Sequence, residues 1–103
     1  MSWVTNIVLN IGLPGDEEHI GEVNLFFEEM DVPGLISINH SLPERWYGGD
    51  QVFEANLFIG AFDWLELDNF VRHLISIKWE EPALVQLFVK EQNNATFKII
   101  PIA

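Results

Sequence analysis

The amino-acid sequence predicts an α+β domain in which two helices lie on one face of an antiparallel or mixed sheet. Three observations lead there. Several stretches alternate apolar and polar residues with a period of two, as half-buried strands do. Two other stretches repeat apolar residues at spacings of three and four, as amphipathic helices do. Their order along the chain is strand, helix, strand, strand, helix, strand, strand.

Trp3, Thr5, Ile7, Leu9, Ile11 and Leu13 alternate with residues that include Asn6, Asn10 and Gly12, giving a long first strand that Pro14-Gly15 ends. Asp16 then stands at a helix N-cap position, with Glu17 and Glu18 in a first turn whose dipole favours negative charge. Ile20, Val23, Phe27 and Met30, widened by Phe26, form the apolar stripe of a helix over 16–30, which Pro33-Gly34 closes. Residues 35–39 read as a short strand. The segment 40–50 has no period and is rich in turn formers, so it reads as a loop.

Phe53, Ala55, Leu57, Ile59 and Ala61 alternate against Glu54, Asn56 and Gly60, a second long strand with its odd positions as the apolar set. A helix starting at Asp63 or Glu66 sets Leu67, Phe70, Val71, Leu74 and Ile75 on one side, with Lys78 expected in its last turn. Pro82 separates it from a strand over 84–91. Asn93-Asn94 signals a turn, and 96–102 returns as a hairpin partner. Two β-α-β units in this order make a ferredoxin-like split β-α-β sandwich with an added C-terminal strand, both helices on one face, in a single domain over 1–103.

Charge is the most informative feature for function. Sixteen acids against five bases leave a net charge of −11, and no lysine or arginine precedes Arg45. Such a field repels phosphate backbones and anionic lipid and attracts basic surfaces. Nucleic acid and membrane are therefore not expected partners. With 49% apolar residues the chain is not a disordered acidic tail. No apolar run is long enough for a membrane span, and the start lacks a basic leader region, so a cytoplasmic location is expected.

The chemistry-bearing residues give no catalytic signature. There is no cysteine, so no disulfide, thiolate nucleophile or cysteine metal site. His19, His40 and His73 have no helical pairing at four residues, and no metal or cofactor is expected. Gly12-Leu13-Pro14-Gly15 sits between strand and helix as phosphate loops do, but it lacks a lysine and runs into three acids. No serine lies in a nucleophile elbow and no carboxylate pair is singled out, so the chain is read as a non-enzyme.

Two regions remain as candidate partner-binding residues. Glu18, Glu22, Glu28 and Glu29 crowd one helix face without an interspersed lysine. Each like-charge pair costs a few tenths of a kcal/mol, a cost a solvated surface can also bear. Glu44, Arg45, Trp46, Tyr47 and Asp50 combine aromatics, an arginine and flanking acids in the central loop, where Trp, Tyr and Arg are the types enriched at binding hot spots. The alternative use of Trp46 is to close the end of the core.

Met1-Ser2-Trp3-Val4-Thr5 and the W-x-x-P-x-x-V-Q segment from Trp79 to Gln86 resemble small uncharacterised bacterial proteins with the same start and segment. That resemblance implies no activity. In size and acidity the chain is also similar in general character to toxin-immunity proteins, which implies a cytoplasmic inhibitor of a basic toxin domain such as a nuclease. Two other expectations stand beside it: a small ligand-binding or enzymatic domain acting as a homodimer, and a phage-encoded inhibitor of a host defence enzyme. For the homodimer, the exposed sheet face is expected to carry Val4, Val8, Phe58, Phe62, Val85 and Val89.

Overall fold

The computed structural model describes residues 3–12, 18–38 and 56–102. Within them the chain forms β1 (Val4–Ile11), α1 (Ile20–Glu28), β2 (Ile36–Ser37), β3 (Asn56–Asp63), α2 (Leu67–Ser76), β4 (Val85–Glu91) and β5 (Lys98–Ile100). The sheet order is β2-β3-β1-β4-β5, and every neighbouring pair is antiparallel. β1 and β2 flank β3, while β3 and β4 flank β1, so two β-α-β units interleave with β5 added at one edge. This is the ferredoxin-like split β-α-β sandwich expected from the sequence.

β1 behaves as its alternation dictates. Thr5, Ile7, Leu9 and Ile11 are buried under the helices, and the even positions face the other way. Register carries this phase to its neighbours: Leu9 stands opposite Phe58 and Leu87, Ile7 opposite Val89, and Ile11 opposite Val85. The helix-covered face of the sheet therefore holds Phe58 and Phe62 from β3 and Val85, Leu87 and Val89 from β4. Each such buried side chain contributes roughly 1.5–3 kcal/mol.

This corrects the expected open face. Phe58, Phe62, Val85 and Val89 are not on it; all four are buried beneath α1 and α2. β3 is apolar at both odd and even positions, so its alternation alone does not fix which side is inward. The ring of Phe27 on α1 decides it, stacking on Phe62 at 4.1 Å between centroids and 11° between planes. Gly60 leaves the room this needs, since a Cβ there would approach the Phe62 ring to 2.7 Å. The open face carries instead Val4, Val8, Leu57, Ile59, Ala61 and Phe88, the residues paired across β1, β3 and β4.

α1 buries Val23 and Phe27, α2 buries Phe70 and Leu74, and Phe26 and Phe27 both meet Phe70, at 5.3 and 5.1 Å. Ile75 departs from expectation by being 54% exposed. α2 also stops before Lys78. Ile77 turns extended, and the buried Trp79 indole donates to the Leu74 carbonyl at 2.9 Å, doing at the helix end what a further turn would have done. Trp79→Phe keeps the apolar bulk and removes this donor. Because Leu74 O also accepts from Ile77 N, the expected loss is about 1 kcal/mol, to be read as a shifted urea midpoint with an unchanged slope. At the other end of the sheet, Trp3 Nε1 and Thr5 Oγ1 both donate to Glu91 Oε2, at 2.7 and 2.9 Å, clamping the start of β1 to the end of β4.

The shorter elements also differ from expectation. β2 has two residues and β5 three, and α1 begins at Ile20 after a tight turn at Glu18-His19. The Asp16 cap and the Phe53–Ala55 part of β3 lie outside the described residues.

Candidate partner-binding face

α1 is held against the rest of the helical layer by its buried stripe, and two histidines finish the attachment. His73 on α2 donates from Nε2 to the Glu22 carbonyl at 2.6 Å, and its ring lies 5.7 Å from Phe26. His19 sets its ring edge against buried Trp79 at 5.3 Å and pairs through Nδ1 with Glu22 Oε1 at 2.8 Å. Both histidines are thus fixed between elements. Among the described residues no group of histidines and carboxylates is placed to hold a metal ion, and no helix is long and apolar enough to cross a membrane.

The outward side of α1 carries exposed Glu18, Glu22, Glu28 and Glu29, with Asp31 just beyond. No lysine or arginine occurs anywhere in residues 18–38. All five candidate residues beyond α1, Glu44, Arg45, Trp46, Tyr47 and Asp50, lie outside the described residues. Glu66 and Asp68 add carboxylates at the start of α2, with Arg72 as the cation of that helix. The open sheet face differs in character: among the described strand residues its charged side chains are Asp63, opposite Val4, and Lys90, opposite Asn6.

One residue on this acidic face was not among the candidates. Leu25 is 51% exposed although it is a large aliphatic side chain in the middle of a helix. Positions 18, 22, 25 and 29 are separated by four, three and four residues, so Glu18, Glu22, Leu25 and Glu29 share one stripe. Glu28 lies three residues on from Leu25, also beside it. An apolar side chain bordered by carboxylates is the pattern of a contact anchor with a polar surround. The signal was present in the sequence, because Leu25 falls out of phase with Ile20, Val23, Phe27 and Met30.

A groove of about 410 Å³ runs beside the end of β3, between Met30, Val32, Pro33 and Ile36 on one wall and Ala61 and Asp63 on the other. It begins where α1 ends, so the acidic face and the groove are continuous along the chain through Glu28, Glu29 and Asp31.

No protein-family model, curated protein or solved structure matches this chain.

Proposed function

We propose that this protein is a non-catalytic binding module that neutralises a basic protein partner, in the manner of an immunity protein inhibiting a toxin nuclease domain. The observation that supports this most directly is the outer stripe of α1: carboxylates uninterrupted by any base, bordering an exposed leucine. A nuclease presents cations where it holds phosphate, and a carboxylate surface can occupy that cleft in the substrate's place. Opposite fields accelerate encounter by roughly 10–1000-fold, while affinity comes from the few side chains that become fully dry. Glu18, Glu22, Glu28 and Glu29 steer in this reading, and Leu25 anchors. Glu44, Arg45, Trp46, Tyr47 and Asp50 form a second contact in this reading.

The test compares the wild-type chain with E18K/E22K/E28K/E29K, each immobilised and exposed to the same bacterial lysate. The expected result is a basic protein retained by the wild type alone, whose nuclease activity falls when the free chain is added. A retained set that is acidic or unchanged by charge reversal, or a retained protein whose activity is untouched, overturns the reading.

A second reading, association of two copies through the open sheet face, is favoured by the exposure of Ile36, Ile59, Phe97 and Ile99. β1, β3 and β4 have eight, eight and seven residues. At about 3.3 Å per residue and about 4.8 Å between strands, the five strands present roughly 440 Å² per copy. Two copies would cover roughly 900 Å², just under the bound of about 1,000 Å² for a specific interface, so the apolar side chains at the rim would have to take part. Stacking these faces also keeps the two acidic helical layers apart. Sedimentation should then show a dimer that Ile59→Lys converts to a monomer; a monomeric wild type at high micromolar concentration removes this reading.

A further inference from the structure

β3 is longer than the strand that covers its outer edge. β2 supplies partners only for Ile59 and Phe58, with one further bond from Ile38 N to Leu57 O at 3.1 Å. In an antiparallel ladder the backbone groups of successive residues point alternately to the two sides. Leu57 gives its carbonyl to the β2 side, so Ile59, Ala61 and Asp63 point that way too. Trp64 agrees with this phase, since its N–H bonds to Trp3 O on the β1 side. The N–H and C=O of Ala61 and Asp63 therefore leave the sheet at an edge where, among the described residues, nothing meets them.

Where β2 stops, the chain is held by α1 on the side away from β3. Asn24 on α1 brackets Leu35, donating from Nδ2 to the Leu35 carbonyl at 3.2 Å and accepting the Leu35 N–H on Oδ1 at 2.9 Å. Leu35 is thereby tied to the helix. Gly34, which continued pairing would set opposite Ala61, packs against the Asn24 side chain so closely that a Cβ would overlap it. The result is the groove described above, with a bare strand edge as one wall.

We propose that the edge of β3 at Ala61–Asp63 accepts an extended, basic segment of the partner protein as an added strand. Unpaired strand edges pair with extended chains through main-chain bonds, and alternate side-chain pockets give such binding its selectivity. Here the apolar wall of Val32, Pro33 and Ile36 takes an aliphatic residue, and exposed Asp31 and Asp63 favour lysine or arginine at the flanking positions. The same carboxylates oppose docking of a second copy of this acidic chain, so the edge is closed to itself and open to a basic strand. The proposal rests on the basic-partner reading and adds its mode of engagement.

The probe is an end-capped eight-residue peptide alternating valine and lysine, titrated into the full chain while backbone amide shifts and hydrogen exchange are followed. The amides of Ala61 and Asp63 should shift and exchange at least tenfold more slowly. A valine–glutamate peptide, and a valine–lysine peptide N-methylated at alternate residues, should have no effect. Ala61→Pro removes the outward N–H without touching the β1 ladder and should abolish the response; Asp63→Lys should weaken it at least tenfold. Binding that survives N-methylation, or shifts confined to the Glu18–Glu29 face, would overturn strand addition while leaving a basic partner in place. Absence of binding by the valine–lysine peptide also overturns it, and retention of a basic protein on the wild-type chain then tests the broader reading separately.

Discussion

Replacing Phe27 by alanine is expected to destabilise the fold by about 3–5 kcal/mol, the usual cost of emptying a fully buried phenylalanine site. Phe27 is fully buried, and its ring is held on three sides: stacked on Phe62, tilted on Phe70 at 5.1 Å, and edge-on to Phe26 at 5.6 Å. Rings on α1, α2 and β3 thus meet at this one side chain, and a void there has no flexible neighbour to refill it. A domain of this size has about 5–15 kcal/mol of stability in total. At roughly 4–8 °C per kcal/mol, Tm should fall by about 12–40 °C. The matched control is Leu25→Ala, two residues away on the opposite face, which should move stability by no more than about 0.5 kcal/mol. If the leucine variant proves the more damaging, α1 packs in the opposite orientation and its acidic face is not the outer one.

Much of this arrangement was legible because some segments obey a single period. β1 alternates two asparagines and two valines with Thr5, Ile7, Leu9 and Ile11, so its phase could be read directly. α1 follows spacings of three and four, and its carboxylates fall on the outer face as those spacings require. β3 and β4 carry large apolar residues on both sides, and there the local pattern is silent about direction. Their phase comes from register against β1 and from rings contributed by helices far along the chain. Gly60 between Phe58 and Phe62 was the available clue, a gap on the side where bulk converges.

The helix ends were misjudged for a related reason. Lys78 was expected in α2 because lysine suits a helix C-terminus, yet a tryptophan at the next position supplied a hydrogen bond that replaced the final turn. The open edge of β3 was not legible at all. It lies where Gly34, the residue that would pair with Ala61, is packed against the Asn24 side chain of α1, and no period in the sequence announces such a contact. Leu25, by contrast, could have been found by asking which aliphatic residue on α1 lacks a place in the buried stripe.

Reversing three of the α1 carboxylates should slow association with the basic partner at least tenfold at low ionic strength. In E18K/E22K/E29K each substitution changes the charge by two, so the formal value moves from −11 to −5. More telling than the total is the position, since the reversed charges would face the approaching partner first. Long-range steering acts before contact, so the change belongs in the on-rate. Raising ionic strength from about 0.01 to 0.15 M shortens the screening length from about 30 to 8 Å. The wild-type on-rate should fall steeply over that range, and the triple variant's should stay flat or rise. Leu25→Ala, which alters no charge, should leave the on-rate within about threefold and act instead on dissociation, where most interface truncations register. Folding is a minor concern for the triple variant, because the replaced residues are exposed and like-charge pairs on a helix are worth only a few tenths of a kcal/mol. A salt-insensitive wild-type on-rate would mean that the charge of α1 has no part in finding the partner, whatever else the face touches.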